Sequence, residues 1–329
     1  MFLNHWVKKS VLCAAMLVLA FGAFGQSYPT KPINVVVPYP AGGAADFVAR
    51  FMTKEMTTTL KQPMLVDNVA GVGGALGVMK ALNAVPDGYT MMSSDIAALI
   101  TTPLTNLNAK YKPEEIKTVA MLGQADIMLV VRKDLGVNNL EGLIALAKKS
   151  TDKPLAFCTS GIGSNYHLMA EKFNTTADIK ALHVPYNGFP QCMTNLIGQQ
   201  IDYAFLPVAG PFPGFVDSGA MKILAIAGTV PSARFPKAPL IKSSRGFDGF
   251  VFSAWAGFHV NNKVPDDVVM VLNKSARAAM ETLEVKKHFA DSGSTIFPPM
   301  LPSEAHAFYL HEVATYRAIA KAINLQPQQ

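Results

Sequence analysis

The stretch INVVVPYPAGGAAD, residues 33–46, joins a short apolar run to a small-residue loop and the start of a helical pattern. Ile33–Val37 is short and rich in β-branched residues, which is typical of a strand buried on both faces. Two prolines then end the strand, and a glycine pair lets the backbone turn. A strand that leads through such a loop into a helix is the repeating unit of parallel α/β sheets.

The same unit recurs along the chain. Further strands of this kind are predicted at 63–66, 89–92, 127–131, 155–158, 183–186, 203–206 and 222–227, with helical patterns between them that are clearest at 47–60 and 140–149. From about Ser253 the pattern changes, and long helices are expected at 265–283 and 303–323. The sequence therefore predicts two α/β clusters with mostly parallel sheets flanked by helices, followed by a helical tail.

The first 25 residues have the pattern of a cleavable signal peptide. Lys8 and Lys9 precede an apolar run that ends at Phe24, and Ala23-Phe24-Gly25 supplies the small-x-small site that a signal peptidase reads. We therefore expect a periplasmic protein. Cleavage would lower the formal net charge from +6 to +4. The remaining lysines and arginines are scattered, which disfavours a nucleic-acid partner.

Two of the three cysteines, Cys158 and Cys192, follow the predicted cleavage site. In an oxidising compartment they could pair across 34 positions of the chain. Two buried free thiols fit the sequence at least as readily, so the sequence leaves the question open. No CxxC pair or histidine–cysteine cluster indicates a metal, and none is predicted.

Three loops share the design of the opening stretch, at 42–46, 160–165 and 187–190. Each follows an apolar strand and precedes a helix, so its backbone N–H groups point outward at a helix N-terminus. Such a terminus favours an anion. Because ligands of open parallel sheets sit at the carboxyl ends of the strands, the three loops together predict an anion site.

Two other interpretations of the sequence fit it less well. Residues 71–77, GVGGALG, approach a dinucleotide-binding pattern with Asp95 as the acidic partner. The secretory signal and the position after the second strand disfavour a nicotinamide cofactor, so no cofactor is predicted. Residues 159–164 lack the GxSxG arrangement of a hydrolase, and the Ser164–His167 pair has ordinary helical spacing. The sequence therefore does not require an enzyme.

An ordered series of motifs resembles the receptors of tripartite tricarboxylate transporters, the Bug or TctC family. The series comprises YPTKPI at 28–33, VVPYPAGGxxD at 36–46, VDN at 66–68, PDGYT at 86–90, SGxGSxxHL at 160–168, HVPYNG at 183–188, GQQID at 198–202 and WAGF at 255–258. It covers essentially the whole chain after residue 25.

The resemblance implies a type II periplasmic binding protein, a Venus-flytrap of two domains without enzymatic activity. Domain 1 would be discontinuous, comprising 26–124 and 250–329 with the helical tail packed back on it, and domain 2 would comprise 125–249. The partners implied are a small carboxylate ligand and the large and small integral membrane subunits of the transporter. A monomer without a cofactor is expected.

The resemblance also implies which residues contact the ligand. The residues predicted for the first-strand loop, the other walls and the third loop are Gly42, Gly43, Ala44, Asp46, Ser93, Ser94, Ser160, Gly161, Ser164, Asn165 and Asn187. Where other members carry Ser-Thr, this chain has Ala44-Ala45. Together with Tyr39, Phe189 and Leu206, this departure favours a flat, apolar pocket and an aromatic dicarboxylate such as terephthalate. The alternatives are that these aromatic residues pack beneath the loops and the ligand is an aliphatic di- or tricarboxylate, that the receptor acts as a sensor, or that it is a periplasmic hydrolase.

Overall fold

The computed structural model describes residues 28–42, 44–186, 188–209 and 211–327. The predicted signal peptide lies outside the described residues, and so do Gly43 and Asn187 of the predicted site. For Ala44 only the backbone is described.

A mixed sheet runs through the molecule, with strand order β2-β1-β3-β9-β4-β7-β5-β6 and with β10 and β8 also pairing with β4. The N-terminal part of the chain forms β1 Ile33–Val37, α1 Ala44–Leu60, β2 Met64–Asn68, α2 Ala75–Leu82, β3 Thr90–Asp95 and α3 Thr102–Thr105, with 3-10 turns at Val72–Gly74 and Pro113–Glu115 and a π-helical turn at Ala97–Thr101. The three strands are parallel, as the sequence predicts.

The middle of the chain repeats this construction. It forms β4 Ile116–Arg132, α4 Leu140–Lys149, β5 Leu155–Thr159, α5 Asn165–Ala177, β6 Ala181–Pro185, α6 Phe189–Ile197, β7 Tyr203–Pro207, α7 Phe212–Asp217 and β8 Met221–Ile226, with a 3-10 turn at Ile241–Ser243. Strands β5, β6 and β7 are parallel. Asn139 caps α4, where its side chain accepts a hydrogen bond from the Gly142 N–H at 2.8 Å, as predicted for Asn138 or Asn139.

The long strand β4 joins two lobes. Over Ile116–Asp126 it pairs antiparallel with β9, Ser253–Asn261. Over Ile127–Arg132 it pairs instead with β7 and β8. We call the part of the sheet containing β1, β2, β3 and β9 the first lobe, and the part containing β5 to β8 the second lobe. The sequence predicts only residues 127–131 of this strand and a mostly parallel sheet. The antiparallel strands β4 and β9 between the two parallel groups make the sheet mixed.

The C-terminal helices return to the first lobe. This tail comprises α8 Asp266–Met280, α9 Leu283–Asp291, β10 Thr295–Ile296 and α10 Pro302–Ala322. Helix α8 packs on α1, where the Thr59 and Ser275 hydroxyls form a hydrogen bond of 2.5 Å. Helix α10 lies along β4, and its Tyr309 hydroxyl donates to the Pro113 carbonyl at 3.0 Å. Within the described residues, no helix is both long and apolar enough to span a bilayer.

A disulfide joins Cys158 of β5 to Cys192 of α6, with a Cα–Cα distance of 5.7 Å. Both residues are buried in the apolar cluster of the second lobe. The question that the sequence leaves open is therefore answered in favour of pairing. The bond fixes a strand and a helix whose ends each carry one of the predicted loops.

Candidate functional site

The carboxyl ends of the parallel strands of the two lobes face each other near the point where β4 changes partners. Asp95 at the end of β3 pairs with Ala256 of β9, and Ala256 pairs with Gly123 of β4. Pro207 at the end of β7 pairs with Ile127, four residues further along β4. The loops that follow these strands therefore border a common cleft, as expected for a ligand site of this fold.

The loop after β1 is held by a carboxylate. Gly42 has a left-handed φ of 81°, and its N–H donates to Asp46 Oδ2 at 2.9 Å. Arg50 Nε donates to the same carboxylate at 3.0 Å. The side chain of Asn68 donates to the Tyr39 carbonyl at 3.1 Å and closes the loop from the other side. Asp46 is therefore used to shape the loop, and the Gly42 amide is already satisfied.

These contacts set the charge of Asp46. The Arg50 hydrogen bond is the largest influence, and it lowers the pKa of Asp46 against the opposing effect of burial. Asp46 is only 4% exposed. A buried carboxylate at this position would repel a ligand anion that contacted it directly. The backbone amides in the first turn of α1, which begins at Ala44, are therefore better placed to bind an anion than Asp46 itself.

Asp95 organises the second wall of the first lobe. It accepts hydrogen bonds from the Tyr39 hydroxyl at 2.5 Å and from the Ala97 and Ala98 amides at 3.0 and 3.3 Å. Burial raises the pKa of Asp95, and burial beside Asp95 also raises the pKa of Tyr39. The hydroxyl of Tyr39 is therefore committed to Asp95, which leaves its ring as the part that can face a ligand.

Residues 71–77 pack against neighbouring side chains of the first lobe. Gly74 has Ala98 and Pro38 where a side chain would lie, and Gly77 has Pro38. The Thr102 hydroxyl donates to the Gly73 carbonyl at 2.9 Å. These glycines permit close packing of the helices against β1, and the carboxylate of Asp95 is already occupied. In this structure residues 71–77 and Asp95 therefore serve the packing of the first lobe.

The two serines of β3 lie deeper than the sequence predicts. Ser93 and Ser94 are each 1% exposed, and they pair with Phe258 and Gly257 of β9. As neighbours in a strand, they point to opposite faces of the sheet. Ser94 Oγ has no hydrogen-bond partner among the described residues. Their predicted contact with the ligand therefore stays a prediction, with both residues at the floor of the first lobe rather than at its surface.

The loop after β5 is held by hydroxyl groups and a histidine. Ser164 caps α5: its Oγ accepts from the His167 N–H at 3.2 Å and donates to the Gly161 carbonyl at 2.8 Å. His167 Nδ1 accepts from the Gly163 N–H at 3.0 Å. Gly161 and Gly163 have φ values of 145° and 76°, which only glycine adopts readily. Like Asp46, Ser164 shapes its loop.

The remaining predicted residues of the second lobe lie in different surroundings. Ser160 is half-buried at the tip of the loop, and its carbonyl accepts from the Gly188 N–H at 3.1 Å, which ties the second and third loops together. Asn165 is buried beside Tyr316 of α10, where its amide partly offsets the rise that burial causes in the pKa of Tyr316. Leu206 is 0% exposed in the core near the disulfide. The structure therefore does not bring Leu206 to the cleft.

Three aromatic rings lie edge to face beside the second and third loops. The Tyr166 and Phe189 ring centroids are 4.7 Å apart, and those of Phe189 and Phe212 are 5.5 Å apart. Phe189 and Phe212 are half-buried, whereas Tyr166 is buried. The rings pack on one another, as expected if they only support the loops. Phe189 and Phe212 nevertheless keep exposed surface that an aromatic ligand could contact.

The lobes touch where Gly163 meets Thr105 of α3. Side-chain atoms of Thr105 occupy the space that a Cβ on Gly163 would need. The second loop therefore lies directly against the first lobe, and its shape affects how the lobes approach each other.

No lysine or arginine occurs in the loop sequences 39–46, 93–98, 160–166 and 186–190. The anion-binding groups available there are backbone amides, a few hydroxyls and the N-termini of α1, α5 and α6. Among the described residues, no group of three or more histidine, cysteine or acidic side chains could hold a metal. The arrangement can hold a small anion between two lobes.

Three residues that support the site were not predicted from the sequence. Asp95 follows a strand and precedes an apolar helix, which is the ordinary position of a capping residue, and that signal could have identified it. His167 and His183 lie within the motifs at 160–168 and 183–188, but the sequence does not show that their rings stack, because this contact joins α5 to β6.

Comparisons with known proteins agree with this geometry. A sequence profile described as the tripartite tricarboxylate transporter family receptor matches residues 48–325. The protein BugT of Bordetella pertussis is 28% identical over 302 residues, which cover 90% of this chain and 90% of BugT.

Solved structures show the same architecture. The periplasmic binding protein BugD superposes with a TM-score of 0.77 at 27% identity, covering 92% of this chain and all of BugD. MatC of Rhodopseudomonas palustris, solved with bound malate, superposes with a TM-score of 0.77 at 25% identity, covering 89% of this chain and 99% of MatC. The predicted two-domain periplasmic binding protein fold is thereby confirmed.

Proposed function

On the premise that this chain belongs to the tripartite tricarboxylate transporter receptor family, we propose that it captures a small dicarboxylate between its lobes in the periplasm and delivers it to large and small integral membrane subunits. The family consists of substrate-binding receptors, and the chain is accordingly a solute-binding protein rather than an enzyme.

One observation carries the choice of ligand class. Three helices begin at the cleft, while the loops that lead into them contain no lysine or arginine. Positive ends of helix dipoles and free amides stabilise a carboxylate without a buried cation. An acid with two carboxylates can engage both lobes at once, and this supplies the differential affinity that closure requires.

The movement in this proposal is a closure of two rigid bodies. Residues 26–124 with 250–329 form one body, and residues 125–249 form the other. The change of strand partners at Asp126 and Ile127 and the contact between Gly163 and Thr105 support this division. Closure brings the loops after β5 and β6 to the far end of the ligand, and the closed shape is the one that the membrane subunits would recognise.

An aromatic dicarboxylate such as terephthalate is the favoured ligand. Phe189 and Phe212 keep exposed ring surface beside the loops. The Tyr39 hydroxyl donates to Asp95, so its ring is the part that a ligand can contact. An aliphatic acid is the alternative, supported by the malate bound to MatC.

Calorimetric titration of the mature protein with terephthalate and with malate tests the proposal. A ligand at 100 times its dissociation constant should stabilise the native state by about 2.7 kcal/mol. Phe189→Ala should weaken terephthalate binding roughly tenfold, the value of a good ring contact, and malate binding much less. Phe235→Ala, which removes a half-buried ring of the same lobe, is the matched control.

Each outcome decides one point. Equal losses for both acids in Phe189→Ala would mean that the ring only packs beneath the loops. Failure of all small carboxylates to bind or to raise the melting temperature would refute the ligand class.

A further inference from the structure

His167 and His183 form a stacked pair beneath the loop after β5. Their ring centroids are 4.0 Å apart and the rings are inclined by 11°. The stack continues through Phe157, 4.9 Å from His183, to Tyr203, 5.4 Å beyond. Four aromatic rings from α5, β6, β5 and β7 thus form a continuous support directly under the loop.

Both histidines bond to this loop or to the residue that begins it. His167 Nδ1 accepts from the buried Gly163 N–H at 3.0 Å. His183 Nε2 lies 2.7 Å from Thr159 Oγ1. Thr159 Oγ1 in turn donates to the Gly161 carbonyl at 3.1 Å. If the threonine proton is used in that bond, His183 must donate its Nε2–H to Thr159.

The geometry requires an unprotonated Nδ1 on His167. An imidazolium has two donors and no acceptor, so it could not accept the Gly163 N–H. Burial lowers the pKa of His167, and burial together with the charge of His167 lowers the pKa of His183 to about 4. Both rings are therefore neutral near pH 7.

The other titratable groups around the pair are few. Glu171 on α5 lies with Oε1 3.8 Å from His167 Nε2, and burial raises its pKa. Tyr203 on β7 lies beyond Phe157, and Asp202 beside it pairs with Arg132 at 2.9 Å. From the first lobe, the uncharged Thr105 packs on Gly163.

We propose that His167 and His183 are positioning residues that fix the loop 160–164 so that the Ile162 amide and the first amides of α5 face the ligand's carboxylate. The amides of Gly161, Gly163 and Ser164 bond within the second lobe and hold the loop in shape. This inference rests on the proposed function, because the loop's ligand is the acid proposed there. Protonation of His167 releases the Gly163 N–H, so the pair also makes binding sensitive to acid.

Three variants test the proposal. His167→Phe keeps an aromatic ring in the stack but removes the acceptor. His167→Asn replaces Nδ1 by an amide oxygen that accepts the Gly163 N–H and does not titrate. His288→Phe is the matched control, because His288 also stacks on an aromatic ring, Phe51, at 4.4 Å, in the first lobe.

Calorimetric titration with terephthalate and with malate at pH 7 and pH 4.5 gives the first readout. We expect His167→Phe to weaken binding at pH 7 at least tenfold, and the other two variants to stay close to the wild type. Between pH 7 and pH 4.5 the wild type should lose more affinity than His167→Asn. Protonation of the acid itself affects both proteins equally, so the ratio of their affinities at each pH removes that contribution. Wild-type affinity in His167→Phe, or identical pH profiles of wild type and His167→Asn, would overturn the proposal.

Hydrogen exchange of the ligand-free proteins gives the second readout. The Gly163 amide should exchange faster in His167→Phe than in the wild type, His167→Asn or His288→Phe, with unchanged near-ultraviolet circular dichroism. If neither acid binds any of the proteins, the proposed function fails. Faster exchange at Gly163 would then still support the positioning of the loop, and unchanged exchange would overturn it.

Discussion

The loops after β1 and β5 have the same design and are held by different chemistry. In the first loop, the charged pair Asp46–Arg50 receives the Gly42 amide. In the second, the neutral ring of His167 receives the Gly163 amide. Both arrangements leave a helix N-terminus at the cleft, so an anion site can be built on either support. The difference is that a carboxylate keeps its charge down to low pH, whereas an imidazole does not.

The largest expected effect is on the free energy of unfolding, and it comes from the disulfide that supports only the second loop. The disulfide joins Cys158, which lies just before this loop, to Cys192 of α6. The first loop has no comparable cross-link, because residues 14–157 contain no cysteine. Removing a cross-link over 34 positions should lower the free energy of unfolding by roughly 3–4 kcal/mol in the chain-entropy account. Chemical denaturation of Cys158→Ser/Cys192→Ser measures this loss.

Treatment with a reductant provides the control for that measurement. Dithiothreitol should shift the wild-type transition towards that of the double variant and leave the variant unchanged. A wild type that is insensitive to the reductant after unfolding and refolding would mean that the thiols are not paired in the purified protein.

A smaller effect is expected from the ionic support of the first loop. Asp46→Ala leaves the Gly42 N–H without its acceptor, which should cost about 1–2 kcal/mol of stability. Asp67→Ala is the matched control, since Asp67 pairs with Lys80 at 2.6 Å on a more exposed surface and should cost roughly 0.5 kcal/mol. Thermal unfolding of both variants decides the point. Equal losses would show that Asp46 is an ordinary surface charge and that the loop needs no carboxylate.

The smallest effect is a difference in pH response between the loops. Burial lowers the pKa of His167, whose Nδ1 accepts the Gly163 N–H, below the ordinary 6.5, so the unfolded chain binds more protons and this stabilisation is lost as the pH falls below 6.5. The pKa of Asp46 is lowered from 3.8, so its contribution is lost only below that value. After correction for intrinsic rates, exchange at Gly163 should therefore accelerate relative to exchange at Gly42 between pH 7 and pH 4.5.

A local measurement is needed because global stability sums opposing groups. Burial raises the pKa of Asp95, Glu171 and Glu312, and these carboxyls favour the folded state as the pH falls. A constant ratio of Gly163 to Gly42 exchange across this range would remove the distinction between the two supports.

Local sequence patterns were sufficient for the elements that repeat. Helix α4 was predicted at its observed bounds, and β1 likewise, because a capping residue and a run rich in β-branched residues are local signals. Strand β4 was predicted at less than a third of its length. Residues 116–126 pair with β9, more than 120 positions away, so their extended conformation depends on a partner that periodicity does not reveal.

The candidate site was predictable at the level of loops but less so for individual side chains. Glycine and serine after a strand correctly indicated turns at helix starts. The sequence cannot show which way a hydroxyl turns, and Ser164 and Asp46 are used to shape their loops. Leu206 was predicted at the cleft and lies in the core, since a residue inside a strand has two faces and the sequence did not decide between them.

A crystal structure of the mature protein with bound terephthalate, or with malate if terephthalate does not bind, tests most directly whether backbone amides at helix starts bind the acid. We expect carboxylate oxygens about 3 Å from amide nitrogens of the loops after β1 and β5, with no lysine or arginine contact. An acid held mainly by a basic side chain, or located away from the carboxyl ends of the parallel strands, would contradict the account.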